Sequence, residues 1–309
     1  MLRLHLIQVQ ERTILQADLN ETACNKVQRV MNKSVVSRAH FWVATLWAVA
    51  SGLSFGVELI SFQGDLSQGS LVLGSVETRY KVSYKGEQLK LAPNGQFLLG
   101  LGRDSASVME VSLEGPDGQT SVHSFAVEKR LYNVQAVDGV PQRTVSPSQT
   151  DLARIKRDSL MVRSARQLRY EKPYFLGGFE APIEGPITGV YGSQRVYNGV
   201  PKSPHYGVDY AAPTGSVVNA PSGGVITMAE IDLFYSGGTL IMDHGHGLTS
   251  SFLHLSAILV QVGDRVQRGD PIAQVGATGR ATGPHLDWRM NWHQVRIDPQ
   301  LVLKALPLE

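Results

Sequence analysis

Gly283-Pro284-His285-Leu286-Asp287 is the stretch from which the fold and the chemistry of this 309-residue chain can be worked out. Two other stretches complete it, namely His205-Tyr206-Gly207-Val208-Asp209 and Phe252-Leu253-His254-Leu255-Ser256. Together they supply imidazole and carboxylate groups, which are the side chains that bind zinc and similar ions in proteins. The three stretches therefore predict one metal-binding site that is assembled from separate parts of the chain.

The spacing of these groups matters as much as their type. In an extended strand, residues two or four positions apart point to the same face. His285 and Asp287 would then point one way, and so would His205 and Asp209. If the two segments lie on neighbouring strands, nitrogen and oxygen ligands converge on one point from two directions.

The same stretches belong to a longer series of short motifs that resembles the M23 (LytM/lysostaphin-type) peptidase family. The matching motifs follow one another from about Phe179 to Leu303, roughly the last two-fifths of the chain. In chain order they are His205-x-x-x-Asp209, Asp243-His244-Gly245-x-Gly247, Ser250-x-x-x-His254-Leu255-Ser256, Gly263-Asp264-x-Val266-x-x-Gly269 and Thr278-Gly279-x-x-Thr282-Gly283-Pro284-His285-Leu286.

The resemblance implies a zinc endopeptidase that cuts the peptide cross-bridges of bacterial peptidoglycan. By the family pattern, His205 and Asp209 bind the metal, and the third ligand is the residue at Asp287. His254 and His285 fall where the family places two histidines that assist the reaction. One of them would accept a proton from water and the other would stabilise the oxyanion.

Asp287 departs from the family pattern, which has a second histidine of a His-x-His pair at this position. A carboxylate is an acceptable zinc ligand, so a His, Asp, Asp site is chemically possible. Two carboxylates neutralise a dication, so such a centre should acidify water less, and oxygen ligands weaken the preference for zinc over manganese. We therefore expect Zn2+ or another divalent ion.

Two alternatives to this ligand set remain open. His285 could replace the missing nitrogen ligand, or Asp287 could form a salt bridge with Arg289 or Arg280 and leave the metal site broken. The histidines of Asp243-His244-Gly245-His246-Gly247 are predicted to lie in a turn and not to bind metal, because two glycines surround them.

The composition indicates a folded, exported protein. The chain is 42% hydrophobic with a formal net charge of +2, so no strongly basic surface predicts a nucleic-acid partner. Residues 31–56 read as a signal peptide, with a basic start and an apolar run too short for a confident membrane span. Residues 1–30 would be an over-extended gene start, and they contain the only cysteine, Cys24. We expect a periplasmic or secreted protein without a lasting membrane anchor; an uncleaved anchor is the alternative.

Residues 57–135 are predicted to form an immunoglobulin-like β-sandwich, because short strands rich in β-branched and aromatic residues alternate with turns about every ten residues. Either a targeting or inhibitory module or a simple spacer would fit. Residues 136–175 would be a linker and a helix that begins with a capping box at Ser148 and Asp151. That helix is interpreted as a solvated bridge between two domains.

Residues 176–309 are predicted to form the antiparallel β domain of the M23 type, with tight turns similar to those of barrel-sandwich folds. Residues 192–204 would be a loop, and Tyr191 beside it could either reach the cleft or pack. Overall, the sequence predicts a secreted metalloendopeptidase acting on peptidoglycan stem peptides. The alternative is a non-catalytic protein of the same family that activates a wall amidase, and a pure wall-binding module is a third reading.

Overall fold

The structure is a computed structural model that describes residues 59–308. The predicted gene start at 1–30, which contains Cys24, and the whole of the predicted signal peptide at 31–56 lie outside the described residues. Within the described part, no helix combines the length and the apolar character needed to cross a membrane.

Seven short strands occupy the N-terminal part of the described chain, as their β-branched and aromatic residues predict. They are β1 (Ser61–Gln63), β2 (Leu71–Ser75), β3 (Lys81–Tyr84), β4 (Glu87–Gln88), β5 (Gln96–Gly100), β6 (Val108–Glu114) and β7 (Thr120–Ala126). They pair into a three-stranded sheet of order β1-β2-β5 and a four-stranded sheet of order β4-β3-β6-β7. Alternate residues of β6 are buried, which is the pattern of a sheet with one face on a core. The immunoglobulin-like topology stays a prediction.

The segment that follows contains more structure than a linker. It holds strand β8 (Val134–Val137), helix α1 (Gln142–Val145), helix α2 (Gln149–Ala165) and a 3-10 helix (Tyr174–Gly177). The capping box at the start of α2 is confirmed, because Ser148 Oγ accepts from the Asp151 N–H and the Asp151 carboxylate accepts from the Ser148 N–H. Helix α2 is more than a solvated bridge, since Ala165 is buried and Asp158 Oδ2 accepts the backbone N–H of Phe234 at 2.8 Å.

The C-terminal part contains the remaining strands and one helix. They are β9 (Ile187–Gly189), β10 (Gln194–Tyr197), β11 (Val200–Pro201), β12 (Val208–Ala211), β13 (Val217–Asn219), β14 (Gly224–Leu233), β15 (Gly237–Asp243), β16 (Leu248–Leu255), β17 (Ala257–Ile258), β18 (Arg265–Val266), β19 (Pro271–Gln274), β20 (His285–Trp292), β21 (Val295–Ile297) and α3 (Pro299–Ala305). The mainly β fold is confirmed. The large sheet has the order β18-β14-β15-β16-β20-β12-β9, with β21 paired to β20, and it does not close into a barrel within the described residues.

The prediction of a loop at residues 192–204 was wrong. Strands β10 and β11 form a hairpin there, in which Tyr197 pairs with Val200, and β10 also pairs in parallel with β8. The turn residues are Asn198 and Gly199, both with positive φ, and Asn-Gly is a strong hairpin signal that the prediction missed.

Strand β20 lies inside the large sheet, between β16 and β12, and positions the candidate site. It pairs with β12 on one side, where Asp287 lies opposite Asp209, and with β16 on the other, where Asp287 lies opposite Leu253. The residues that alternate with Asp287 point into the hydrophobic core, and Trp288 is completely buried. The prediction that the two motif segments lie side by side is therefore confirmed, since β12 and β20 are paired.

One continuous cluster of buried apolar residues extends through both β regions, from Ile60 to Leu306. The two β regions touch at Gly100 on β5, where an added Cβ would lie 2.9 Å from the Cβ of Trp292. The division into 57–135, 136–175 and 176–309 stays a prediction.

Candidate metal centre

The three predicted metal ligands lie together in the structure. One ligand atom from each of His205, Asp209 and Asp287 falls within 4.8 Å of the others, and the three residues are only 5%, 7% and 2% exposed. His205 Nε2 and Asp209 Oδ1 are 3.0 Å apart. Neither of these two buried atoms has a hydrogen-bond partner of good geometry in residues 59–308. Buried polar atoms rarely remain unpaired, so the pair is suited to an ion between them.

Each carboxylate of the cluster is held from outside by an arginine. Arg195 Nη2 donates to Asp209 Oδ2 at 2.8 Å, and Arg289 Nε donates to both oxygens of Asp287 at 3.0 Å. The salt bridge with Arg289 that the sequence left open is therefore present, and it coexists with the convergence of the three ligands. Arg280 instead stacks between the rings of Tyr197 and Tyr235.

Both carboxylates stay ionised, as a metal ligand requires, Asp209 through His205 and Arg195 and Asp287 mainly through Arg289. Burial and the nearby Asp287 raise the pKa of Asp209, but its contacts with His205 and Arg195 outweigh them, so the net pKa is lowered. Burial also raises the pKa of Asp287, and the charge of Arg289 more than compensates, so this pKa is lowered as well. Outer partners of this kind orient ligands and are a regular part of metal sites.

The residues fit a divalent ion. Two ligands of a tetrahedral zinc ion at roughly 2.0–2.2 Å lie about 3.3–3.6 Å apart, close to the separation of the orphaned nitrogen and oxygen. A carboxylate oxygen has two lone pairs, so Asp287 can accept from Arg289 and still bind an ion. One nitrogen and two oxygens suit zinc or manganese.

Two glycines make room for the carboxylates. A Cβ at Gly189 would lie 2.0 Å from Asp209 Oδ2, and a Cβ at Gly207 would lie 2.4 Å from Asp287 Oδ1. Any larger residue at either position would displace a ligand. The role of Gly207 could be suspected from the sequence, because it lies two residues before the ligand Asp209. The role of Gly189 could not, because it depends on the pairing of β9 with β12.

His254 lies beside the cluster in a defined tautomer. Its Nδ1 donates to the carbonyl oxygen of Thr278 at 2.8 Å, which leaves Nε2 with its lone pair, 4.0 Å from Asp287 Oδ2. Burial lowers the pKa of His254 to about 4, so the imidazole is neutral at physiological pH. The residue has a φ of 65°, a conformation that non-glycine residues adopt mainly where the surrounding structure enforces it.

His285 is the second histidine at the site. Its Nδ1 donates to the carbonyl of Gly283 at 2.8 Å, and its ring centroid is 4.8 Å from that of His254. It does not belong to the group of converging ligand atoms. The geometry therefore favours Asp287 over His285 as third ligand.

Other residues singled out in the sequence have structural contacts. Both ring nitrogens of His244 are engaged, with the carbonyl of Gly223 and the hydroxyl of Ser250, each at 2.8 Å. Tyr191 is buried, and its hydroxyl donates to the carbonyl of Arg296, so it packs and does not reach the cleft.

The cluster opens into a cavity of about 860 Å³. Its walls come from β8, helix α2, the β10–β12 region, and strands β16 and β20. A volume of this size can hold a peptide of a few residues.

A buried cluster of nitrogen and oxygen ligands on an antiparallel sheet, with two more imidazoles beside it, is an arrangement suited to metal-assisted hydrolysis. The sequence model described as Peptidase family M23 matches residues 203–299, which include all five predicted site residues. This region of the chain belongs to peptidase family M23.

Comparison with known proteins agrees with this assignment. Peptidoglycan DD-endopeptidase ShyA of Vibrio cholerae is 41% identical over 88 residues, 28% of this chain and 20% of that protein. DD-carboxypeptidase/endopeptidase Mpg of Neisseria meningitidis is 40% identical over 103 residues, 33% of this chain and 23% of that protein. The chain thus spans about a fifth to a quarter of the length of these relatives.

A solved structure covers more of the chain. The crystal structure of a peptidase M23 from Pseudomonas aeruginosa superposes with a TM-score of 0.62 at 25% identity. The match covers 79% of this chain and 97% of that one, so the similarity includes much of the described N-terminal region as well.

Proposed function

We propose that this protein is a metal-dependent endopeptidase that hydrolyses peptide cross-links of bacterial peptidoglycan. The observation that carries the proposal is the buried convergence of His205, Asp209 and Asp287, in which a nitrogen and an oxygen 3.0 Å apart lack hydrogen-bond partners in the described chain. The substrate class is supported by the relatives, of which one is a peptidoglycan DD-endopeptidase and the other a DD-carboxypeptidase/endopeptidase by name.

His205, Asp209 and Asp287 would hold the ion, and zinc fits their donor atoms. A divalent ion bound there supplies Lewis-acid chemistry, since it polarises the scissile carbonyl and lowers the pKa of water. Arg195 and Arg289 orient the two carboxylates through their ion pairs with Asp209 and Asp287.

His254 is the better candidate for the proton acceptor. Its Nδ1–H is fixed on the Thr278 carbonyl, so the lone pair of Nε2 faces the cluster, and burial keeps the ring neutral. The role of a general base needs such a neutral imidazole within reach of the water. His285, whose Nδ1 is held by Gly283, would then stabilise the oxyanion.

The second candidate function is the non-catalytic regulator of a wall amidase. The observation that favours it is the pairing of Arg289 with both oxygens of Asp287, because that guanidinium supplies positive charge where an ion would otherwise do so. Export to the periplasm through residues 31–56 is part of both proposals, and the sequence pattern supports it.

Purified protein lacking residues 1–56 separates the two functions on isolated wall sacculi. An enzyme releases peptides, and the release stops with a chelator and in His205→Ala. A regulator releases no peptides by itself but increases release by an added amidase, with or without chelator. Sacculus binding without either effect would refute both functions and leave a wall-binding module.

A further inference from the structure

The cavity beside the metal centre carries an excess of positive charge. Seven cationic side chains line it, against three carboxylates, Asp158, Asp209 and Asp287. The last two are already paired with Arg195 and Arg289, and Asp158 accepts a backbone N–H. Most of the positive charge is therefore left over for a bound molecule.

Arg166 is one of these cations and lies at the end of helix α2. It follows directly on helix α2, and its Nη2 donates to Ser251 Oγ at 3.0 Å. Its Nε is buried and has no hydrogen-bond partner anywhere in residues 59–308. Burial, together with the charges of Arg296 and Arg289, lowers the pKa of Arg166 to about 10. A buried cation beside two like charges is unfavourable unless an anion compensates it.

The strand register places this group next to the metal centre. Ser251, which binds Arg166, lies opposite Arg289, and Leu253 lies opposite Asp287. Arg289 and Asp287 are two positions apart and share one face of β20, a distance of about 7 Å along the strand. The distance from these cations to the proposed reaction centre is therefore one that about two extended residues can span.

Arg296 completes the group from the neighbouring strand β21. Its guanidinium stacks over the ring of Tyr206 at 4.3 Å, and Tyr206 adjoins the ligand His205. Arg296 and Arg166 both line the cavity, and the charge of Arg296 contributes to the lowered pKa of Arg166. No salt bridge engages Arg296 or Arg166 in the part of the chain that the structure describes.

We propose that Arg166, Arg289 and Arg296 form a subsite that binds a carboxylate group of the peptide substrate, within about two residues of the bond that is cut. Guanidinium groups bind carboxylates through paired, charge-assisted hydrogen bonds, and Arg289 retains donors beyond those that hold Asp287. This inference rests on the proposed function, because it assumes that a peptide occupies the cavity. It adds that the substrate is selected by its negative charge.

The test compares two peptides that differ only in charge, L-alanyl-D-alanyl-D-alanine with a free carboxylate and the same peptide with a C-terminal carboxamide. Binding to the protein lacking residues 1–56 is measured by calorimetry with a chelator present, so that a carboxylate cannot gain affinity by binding a metal. We expect the free carboxylate to bind about tenfold more tightly, the effect of a charge-assisted hydrogen bond at the lower end of its range.

Arg166→Gln should remove most of this preference, and Arg166→Lys should retain part of it. Arg157→Gln is the matched control, because Arg157 lies on helix α2, which Arg166 directly follows, and its side chain is 68% exposed. The ratio of the two affinities is taken within each variant, so a loss of folded protein does not alter it.

Equal affinity of the wild type for both peptides would overturn the subsite, and so would a full preference in Arg166→Gln. The outcome is separate from that of the proposed function. A preference that depends on Arg166, in a protein that releases nothing from sacculi, would support the subsite and contradict the peptidase.

Discussion

Replacing Gly189 by alanine tests whether the metal centre depends on the room that this glycine leaves. The new Cβ would lie 2.0 Å from Asp209 Oδ2 and 2.7 Å from Arg195 Nη2. Real Cβ contacts are longer than 3.0 Å, so the carboxylate has to move by about 1 Å. The backbone of Gly189 lies in a strand without a positive φ, so alanine adds steric overlap and no backbone strain.

Two effects set the expected size of the losses in metal affinity and in kcat/KM. The shift breaks the 2.8 Å charge-assisted bond between Arg195 and Asp209, and loss of such an outer partner weakens metal binding by about 10–100-fold. Displacement of a reacting group by about 1 Å also lowers the rate by roughly 100-fold. We therefore expect a metal affinity at least tenfold weaker and a kcat/KM on sacculi at least 100-fold lower.

The assay is competition for zinc with a chromogenic chelator, with a thermal unfolding curve for each variant. Gly177→Ala is the matched control, since a Cβ there meets no atom within 4 Å and the residue has no positive φ. A Gly189→Ala protein that folds and binds zinc as tightly as the wild type would refute the packing argument.

Three further predictions concern ionisation and the outer contacts. Burial raises the pKa of Asp243 from 3.8 to about 6, so its stabilising contribution is complete below pH 3.8 and is lost as the pH rises through 6. Across this window, the unfolding free energy of the wild type should fall by about 3 kcal/mol relative to that of Asp243→Asn. Urea titrations measure both free energies, and parallel pH curves for the two proteins would contradict the prediction. Burial lowers the pKa of His254 to about 4, so the acid limb of kcat/KM against pH should lie well below 6.5, and a limb at 6.5 or above would exclude His254 as the base. Arg289→Gln should weaken zinc binding by about 10–100-fold, whereas Arg280→Gln should leave it unchanged, and equal zinc affinities for the two variants would show that Arg289 does not hold the ligand.

The strands of the C-terminal region could be predicted closely. Those at Val217–Asn219, Arg265–Val266 and Pro271–Gln274 begin and end near the glycine, proline and aspartate residues that mark turns in the sequence. The convergence of Asp209 and Asp287 was also predictable, since directly opposed residues of neighbouring strands share one face. His205 lies before β12 and outside any strand, so the period of two along a strand does not explain its approach to the two carboxylates.

The surroundings of the ligands could not be predicted in the same way. The pairing of Arg195 with Asp209 depends on where the β10 hairpin lies, and the approach of Arg166 depends on how helix α2 packs on the sheet. Both are contacts between segments far apart in the chain, and no local pattern specifies them. The Arg289 pair with Asp287 was foreseen only as an alternative to metal binding, whereas the structure combines it with the ligand cluster.

The central claim is that an ion lies between His205, Asp209 and Asp287, and anomalous diffraction tests it most directly. Crystals grown with one equivalent of zinc would be measured on both sides of the zinc absorption edge. The account predicts one strong anomalous peak about 2.0–2.2 Å from His205 Nε2, Asp209 Oδ1 and an oxygen of Asp287. Crystals with no peak at this position, and with Arg289 still the sole partner of Asp287, would contradict it.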